Sequence, residues 1–148
     1  MKTATIFGAT GLVGSFLLRE LLDKRDYGQV VAFTRRDLGI DHPKLRTERG
    51  DFNALAASDE PLQTDEVFLA LGSTRQMTPD KQEYHRIDHD YPVLAARRAQ
   101  EGGAKSVFLV SAIGANPSSK TFYLRTKGET ERDIVALGYG RPTYSGHR

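Results

Sequence analysis

Residues 8–14 read Gly8-Ala9-Thr10-Gly11-Leu12-Val13-Gly14, between an apolar run from Ala4 to Phe7 and a stretch with helical periodicity. Three glycines at this spacing, directly after a strand and at the opening of a helix, let the backbone turn tightly and leave its N–H groups uncovered. Side chains would fill that space. The free N–H groups and the positive end of the helix receive negative charge, and the pyrophosphate of a dinucleotide fits such a turn. A plain glycine turn, with Gly14 serving only helix packing, is outweighed by this placement. The candidate cofactor contacts here are Gly8, Thr10, Gly11, Leu12, Val13 and Gly14.

Outward from the turn, short apolar runs alternate with longer amphipathic segments, the pattern of a parallel sheet wrapped by helices. Strands are expected at Ala4 to Phe7, Val30 to Thr34, Leu45 to Glu48, Glu66 to Leu71 and Ser106 to Val110. Gly11 to Lys24 reads as a helix with Val13, Phe16, Leu17 and Leu21 on its apolar face. Pro79 to Glu101 reads as the longest helix, capped by Thr78 and stopped by Gly102-Gly103. Ser118 or Ser119 is expected to cap a last helix that reaches Ala136 or Leu137. The fold class is therefore α/β, a Rossmann-type doubly wound parallel sheet of order 3-2-1-4-5, spanning 1–140 with an irregular tail at 141–148.

Composition narrows the function. The 148 residues, 39% hydrophobic and 27% charged, suit one domain with a core of its own. A formal charge of +2 is too balanced to mark a nucleic-acid or anionic-membrane binder, so neither partner is expected. With no cysteine there is no disulfide, cysteine-ligated zinc or thiol nucleophile, which fits a reducing compartment. The apolar N-terminus is broken by glycines and lacks a small-residue cleavage site; it reads as mature structure, and the expected location is cytoplasmic.

The end of the second strand selects the cofactor. An acidic side chain there bonds a ribose 2′-hydroxyl, whereas arginine receives a 2′-phosphate. The chain offers Arg35-Arg36, whose planar guanidinium groups suit phosphate, so NADP(H) is expected ahead of NAD(H). Asp37 opposes this, but it already falls in the loop. After the third strand, Asp51-Phe52 either meets the adenine or starts a helix with Asp51 as its cap.

Taken together, Gly8 to Gly14, Arg35-Arg36, Asp51-Phe52, Leu71-Gly72-Ser73-Thr74-Arg75, Ser111-Ala112-Ile113-Gly114-Ala115 and Tyr123-Leu124-Arg125-Thr126-Lys127 resemble the atypical short-chain dehydrogenase/reductases. Within these the chain is similar to bacterial relatives of the human Tat-interacting oxidoreductase-like protein, near the NmrA-like group. The resemblance implies an NADP-binding Rossmann fold, a reducing site of Ser111, Tyr123 and Lys127, and a cofactor-lining backbone at Leu71 and Gly72. It also implies a polar residue on the long helix facing the site, at Asp88. The chemistry agrees: residues four apart share a helix face, and an ammonium at Lys127 beside the Tyr123 phenol makes that phenol a better proton donor near neutral pH. Ser111 would hold a substrate carbonyl.

Two clusters read more plainly. His85 and His89 lie four apart with no third ligand of evident spacing, so no metal is expected; Lys81, Arg86 and Arg97-Arg98 read as a solvated helix face. The family's further strand and substrate lobe have no counterpart after Leu137. Two functions follow: an oxidoreductase moving hydride between NADP(H) and a small carbonyl or alcohol, or a non-catalytic NADP(H) sensor or interaction module. Either admits a homodimer.

Overall fold

The computed structural model describes residues 1–71, 78–111 and 114–139. Five parallel strands, β1 (Lys2–Phe7), β2 (Tyr27–Thr34), β3 (Leu45–Arg49), β4 (Glu66–Leu69) and β5 (Ser106–Leu109), form one sheet in the order β3-β2-β1-β4-β5. This is the expected doubly wound arrangement. The expected tail, Arg141 to Arg148, lies outside the described residues.

Alternation along the strands builds a core on each face of the sheet. Ala4, Ile6, Val30, Ala32 and Phe68 meet Leu18, Leu21 and Leu22 of helix α1 (Leu12–Asp23). On the other face Phe7, Val67 and Leu69 meet Leu55 of α2 (Phe52–Ala57), Val93, Ala95, Ala96 and Ala99 of α4 (Tyr91–Glu101), and Ile134 of α5 (Phe122–Val135). The three alanines of α4 are fully buried, because a methyl group is all that fits where the helix lies close on the sheet.

The apolar face of α1 differs from the expected one. Gly14, Leu18, Leu21 and Leu22 turn inward, while Val13 and Phe16 are 48% and 60% exposed. Gly14 decides this: a Cβ on it would stand 1.8 Å from the Gly8 carbonyl oxygen, so the helix rests on its glycine side. The last helix also begins later than expected. Asn116 Oδ1 and Ser119 Oγ accept the Ser118 and Thr121 N–H groups, closing local turns before α5 starts.

The long helix is in three parts: α3 (Lys81–His85), a π-helical segment (Arg86–Asp90) and α4. Its cap is Asp80, which accepts from the N–H groups of Gln82 and Glu83, in place of the expected Thr78. Pro92 explains the interruption. An unbroken α-helix would require the Pro92 nitrogen to donate to the Asp88 carbonyl, and proline has no N–H. The chain widens to a π turn, with the Tyr91 N–H reaching Arg86 O. The buried Thr130 hydroxyl donates to the Asp88 carbonyl from α5 at 2.8 Å. Among the described residues no helix is long and apolar enough to cross a membrane.

Replacing Thr130 with valine keeps the side chain's size and strips this carbonyl of its side-chain donor. We expect Thr130→Val to lose about 1–3 kcal/mol of stability, the cost of an unmet buried polar group. An unchanged urea midpoint would refute the role given to this hydroxyl.

Candidate functional site

The strand order reverses between β1 and β4, so the backbones diverge beyond Phe7 and Leu69 and leave a crevice at the carboxyl edge. Gly8 occupies the narrowest point, at φ +90°, where a Cβ would fall 2.5 Å from the Ala70 backbone. From there a cleft of about 520 Å³ runs past Thr10 and Gly11 to Arg35, Arg36, Asp51, Phe52 and Leu71. Eight of the sequence-derived cofactor positions thus share one cavity. Leu12, Val13 and Gly14 form the first turn of α1 outside its walls, and Gly72 lies outside the described residues.

The three glycines play different parts. Gly8 and Gly14 are fixed by backbone contact, whereas among the described residues a Cβ on Gly11 would meet only the Gly8 carbonyl oxygen, at an ordinary 3.6 Å. Gly11 is also the N-cap of α1 and offers no side chain to its first turn, which holds no acidic residue. The helix therefore presents open N–H donors and the positive end of its dipole beside the cleft, a fit for a pyrophosphate.

At the far end, the Thr34 hydroxyl bonds both the N–H and the carbonyl of Arg36, and Arg49 donates to the Arg35 carbonyl. This braces the turn and leaves both guanidinium groups exposed; among the described residues neither carries an ion pair. Asp37 instead accepts the Gly39 N–H at 3.0 Å. Asp51 caps α2, with one oxygen 2.9 Å from the Ala54 nitrogen, while also lining the cleft, so the two roles considered for it are compatible.

Sequence reasoning missed part of this wall. Arg86, read as solvated, lines the cleft with its guanidinium 5.3 Å from the centre of the Phe52 ring. It is held there by Glu83 at 2.7 Å and Asn53 at 2.9 Å. Arg98 was misplaced too: its side chain is 14% exposed and donates to the Ser58 carbonyl. Tyr91, which packs edge-on against Phe7 and Phe52, closes the apolar side, and its phenol pKa is pushed up to about 12, first by burial and then by Asp51. The only prior signal was the register of the long helix, which the π turn shifts.

The expected reducing residues stand beyond this cleft. Ser111 follows β5 and its hydroxyl is buried with no hydrogen-bond partner among the described residues. Tyr123 packs edge-on against Tyr84, ring centres 4.7 Å apart. Lys127 was expected beside the Tyr123 phenol; its ammonium is 2.8 Å from Asp88 Oδ1, and that carboxylate is fully buried. Tyr84 joins them, since burial and then the Asp88 charge raise its phenol pKa. The π turn thus places Asp88, anticipated only as a polar neighbour of the site, directly on Lys127.

The histidines also differ from expectation. His85, His89 and Asp90 each offer a ligand atom within 4.8 Å of the others. A π turn sets residue i+5 beneath residue i, which brings Asp90 under His85; the four-residue spacing rule overlooks it. Burial lowers the His89 pKa, but its bonds to Asp90 and Asp133 outweigh this and raise it overall. Asp133 is held down at about 2, chiefly by Arg132.

A glycine turn at the switch point of a 3-2-1-4-5 sheet defines a dinucleotide-binding Rossmann domain. A family described as NAD(P)H-binding matches residues 8–136, and the chain belongs to it. It is 33% identical over 137 residues to the mitochondrial protein FMP52 of Saccharomyces cerevisiae, covering 90% of this chain and 59% of that one. To FMP52 of Kluyveromyces lactis it is 35% identical, covering 93% and 62%. The chain thus spans about three fifths of these relatives. Among solved structures, MoeE5 in complex with UDP-glucuronic acid and NAD is similar at TM-score 0.73 and 26% identity, over 92% of this chain and 49% of that one. The Bordetella bronchiseptica enzyme WbmG in complex with NAD shares the fold at TM-score 0.72 and 15% identity, over 91% and 49%. The relatives' names correct the expected cytoplasmic location, since these proteins are called mitochondrial.

Gly11→Val is expected to leave folding intact, because its Cβ makes only an ordinary contact among the described residues, and to abolish NADPH and NADH binding by filling the cleft. Calorimetry finding parental affinity in a folded variant would remove the pyrophosphate from this turn.

Proposed function

We propose that this chain is the cofactor-binding part of an NADP(H)-dependent oxidoreductase acting on a small carbonyl or alcohol. The observation that carries the reading is the single cleft that joins the glycine turn to Arg35 and Arg36. Two exposed guanidinium groups with no ion pair among the described residues suit a 2′-phosphate, and Asp37, the group that would favour a ribose hydroxyl, is bonded to its own loop. The placement among atypical short-chain dehydrogenase/reductases rests on the ordered motifs that run from Gly8 to Lys127.

When bound, the nicotinamide would give or take the hydride. The work of the chain is then to orient and to move one proton. The Tyr123 hydroxyl would donate a proton to the carbonyl oxygen as it gains negative charge, and take it back in the reverse direction. The Ser111 hydroxyl, buried and without a hydrogen-bond partner among the described residues, would donate to the same oxygen. Lys127 would hold the cofactor ribose, with Asp88 holding the ammonium in place. A second reading, a non-catalytic NADP(H) sensor, is favoured by that same ion pair, which already engages the lysine in the free chain.

Two measurements test this. The double variant Arg35→Ala, Arg36→Ala should weaken NADPH at least tenfold and NADH far less, since one charge-assisted bond is worth about 1.5–3 kcal/mol. Equal losses would refute the NADP preference. In the full-length protein, Tyr123→Phe should lower turnover of a carbonyl substrate by about 10²-fold or more with NADPH affinity nearly unchanged. Full activity in this variant would eliminate the proton donor; cofactor binding with no turnover in the parent selects the sensor.

A further inference from the structure

The end of α3 and the π segment meet α5 through a cluster of five polar side chains that the cofactor cleft does not use. The imidazole rings of His85 and His89 stack with centres 4.5 Å apart. Each has one nitrogen held by a carboxylate from α5: His85 Nε2 is 3.3 Å from Glu129, and His89 Nε2 is 2.6 Å from Asp133. Their other nitrogens turn to one atom, Asp90 Oδ1, at 3.4 Å from His85 Nδ1 and 2.7 Å from His89 Nδ1. This division matters. A carboxylate only accepts, so all four ring nitrogens face acceptors, while a neutral imidazole carries a single N–H and must turn its other lone pair to an anionic oxygen. A lone pair facing a carboxylate is repelled unless positive charge sits between them.

Carboxylate–histidine pairs of this kind orient imidazoles toward metal ions, fixing the tautomer and raising ligand basicity. Two nitrogens and one carboxylate oxygen form a three-ligand set for a zinc-class cation, with a position left for water. Hard cations such as Mg²⁺ and Ca²⁺ prefer all-oxygen sets. The site is accessible, with side-chain exposure of 35% at His85, 16% at His89 and 44% at Asp90. Ligand atoms around zinc stand about 3.4 Å apart, so the observed separations need only small rotamer adjustments.

We propose that His85, His89 and Asp90 bind one divalent transition-metal cation of the zinc class, with Glu129 and Asp133 orienting the two imidazoles. All three ligands lie on the long helix, and the Glu129 and Asp133 bonds to the imidazoles link the site to the helix that carries Tyr123 and Lys127. The site is separate from the dinucleotide cleft and does not rest on the function proposed above.

The test titrates the metal-free full chain with ZnCl₂ by calorimetry and with CoCl₂ by visible absorption, folding being checked by circular dichroism. One equivalent should bind, with the d–d bands of a low-coordinate Co²⁺ site. His85→Ala combined with His89→Ala should weaken Zn²⁺ at least 100-fold. Glu129→Ala, which removes an orienting group and no ligand, should weaken it about 10-fold or more. His42→Ala should change nothing. Absence of saturable binding, or binding that survives loss of both histidines, overturns the proposal and leaves a proton as the positive charge in the cluster.

Discussion

No side chain fits between Gly8 and Gly14, and the rest of the site follows from that contact. With a Gly14 Cβ only 1.8 Å from the Gly8 carbonyl oxygen, α1 descends directly onto the end of β1. The helix then starts over the point where β1 and β4 part, with its uncapped donors beside the crevice. A methyl group here would have to displace backbone, the kind of overpacking that costs about 1–3 kcal/mol or more. Gly11 faces a different constraint. Among the described residues nothing forbids a side chain there, so Gly11 keeps open space beside the cleft that the fold itself does not demand.

A second constraint, Pro92, organises the opposite side. Because proline cannot satisfy the Asp88 carbonyl, the helix loosens over Arg86–Asp90, and five consecutive residues are displayed in directions a regular helix would not give them. Arg86 and Ile87 turn to the cleft, Asp88 to Lys127, and His89 and Asp90 to the polar cluster with α5. The Thr130 hydroxyl fixes the arrangement from the other helix. One missing N–H thus couples the cofactor wall, the buried ion pair and the histidine cluster.

The parallel sheet and its order were legible because β1, β2, β4 and β5 carry short apolar runs, the polar edge strand β3 precedes Gly50, and the glycine turn marks the switch point. Gly8, Thr10, Gly11, Arg35, Arg36, Asp51, Phe52 and Leu71 could be placed on one edge for the same reason: each follows a strand, and parallel strands end together. Failures clustered where contact between distant segments overrides local pattern. Phe16 has the periodicity of a core residue yet is exposed, because Gly14 sets the face of α1. Arg98 reads locally as solvated, but its partner, the Ser58 carbonyl, lies 40 residues away. Arg86 and Asp90 were missed because a helix read at 3.6 residues per turn hides a π turn, although Pro92 was visible as its cause.

The Asp88–Lys127 pair bears on both functional readings. Burying a carboxylate completely is costly unless its partner is close, and at 2.8 Å the ammonium meets that demand. An ammonium has three donors, so the bond to Asp88 leaves others for ribose hydroxyls, and engagement in the free chain does not remove Lys127 from cofactor binding. The second Asp88 oxygen is buried with no hydrogen-bond partner among the described residues, so the ammonium is the group that offsets the burial of this carboxylate. The pair therefore fixes where the Lys127 ammonium stands between the π segment and α5, and both functional proposals depend on that position.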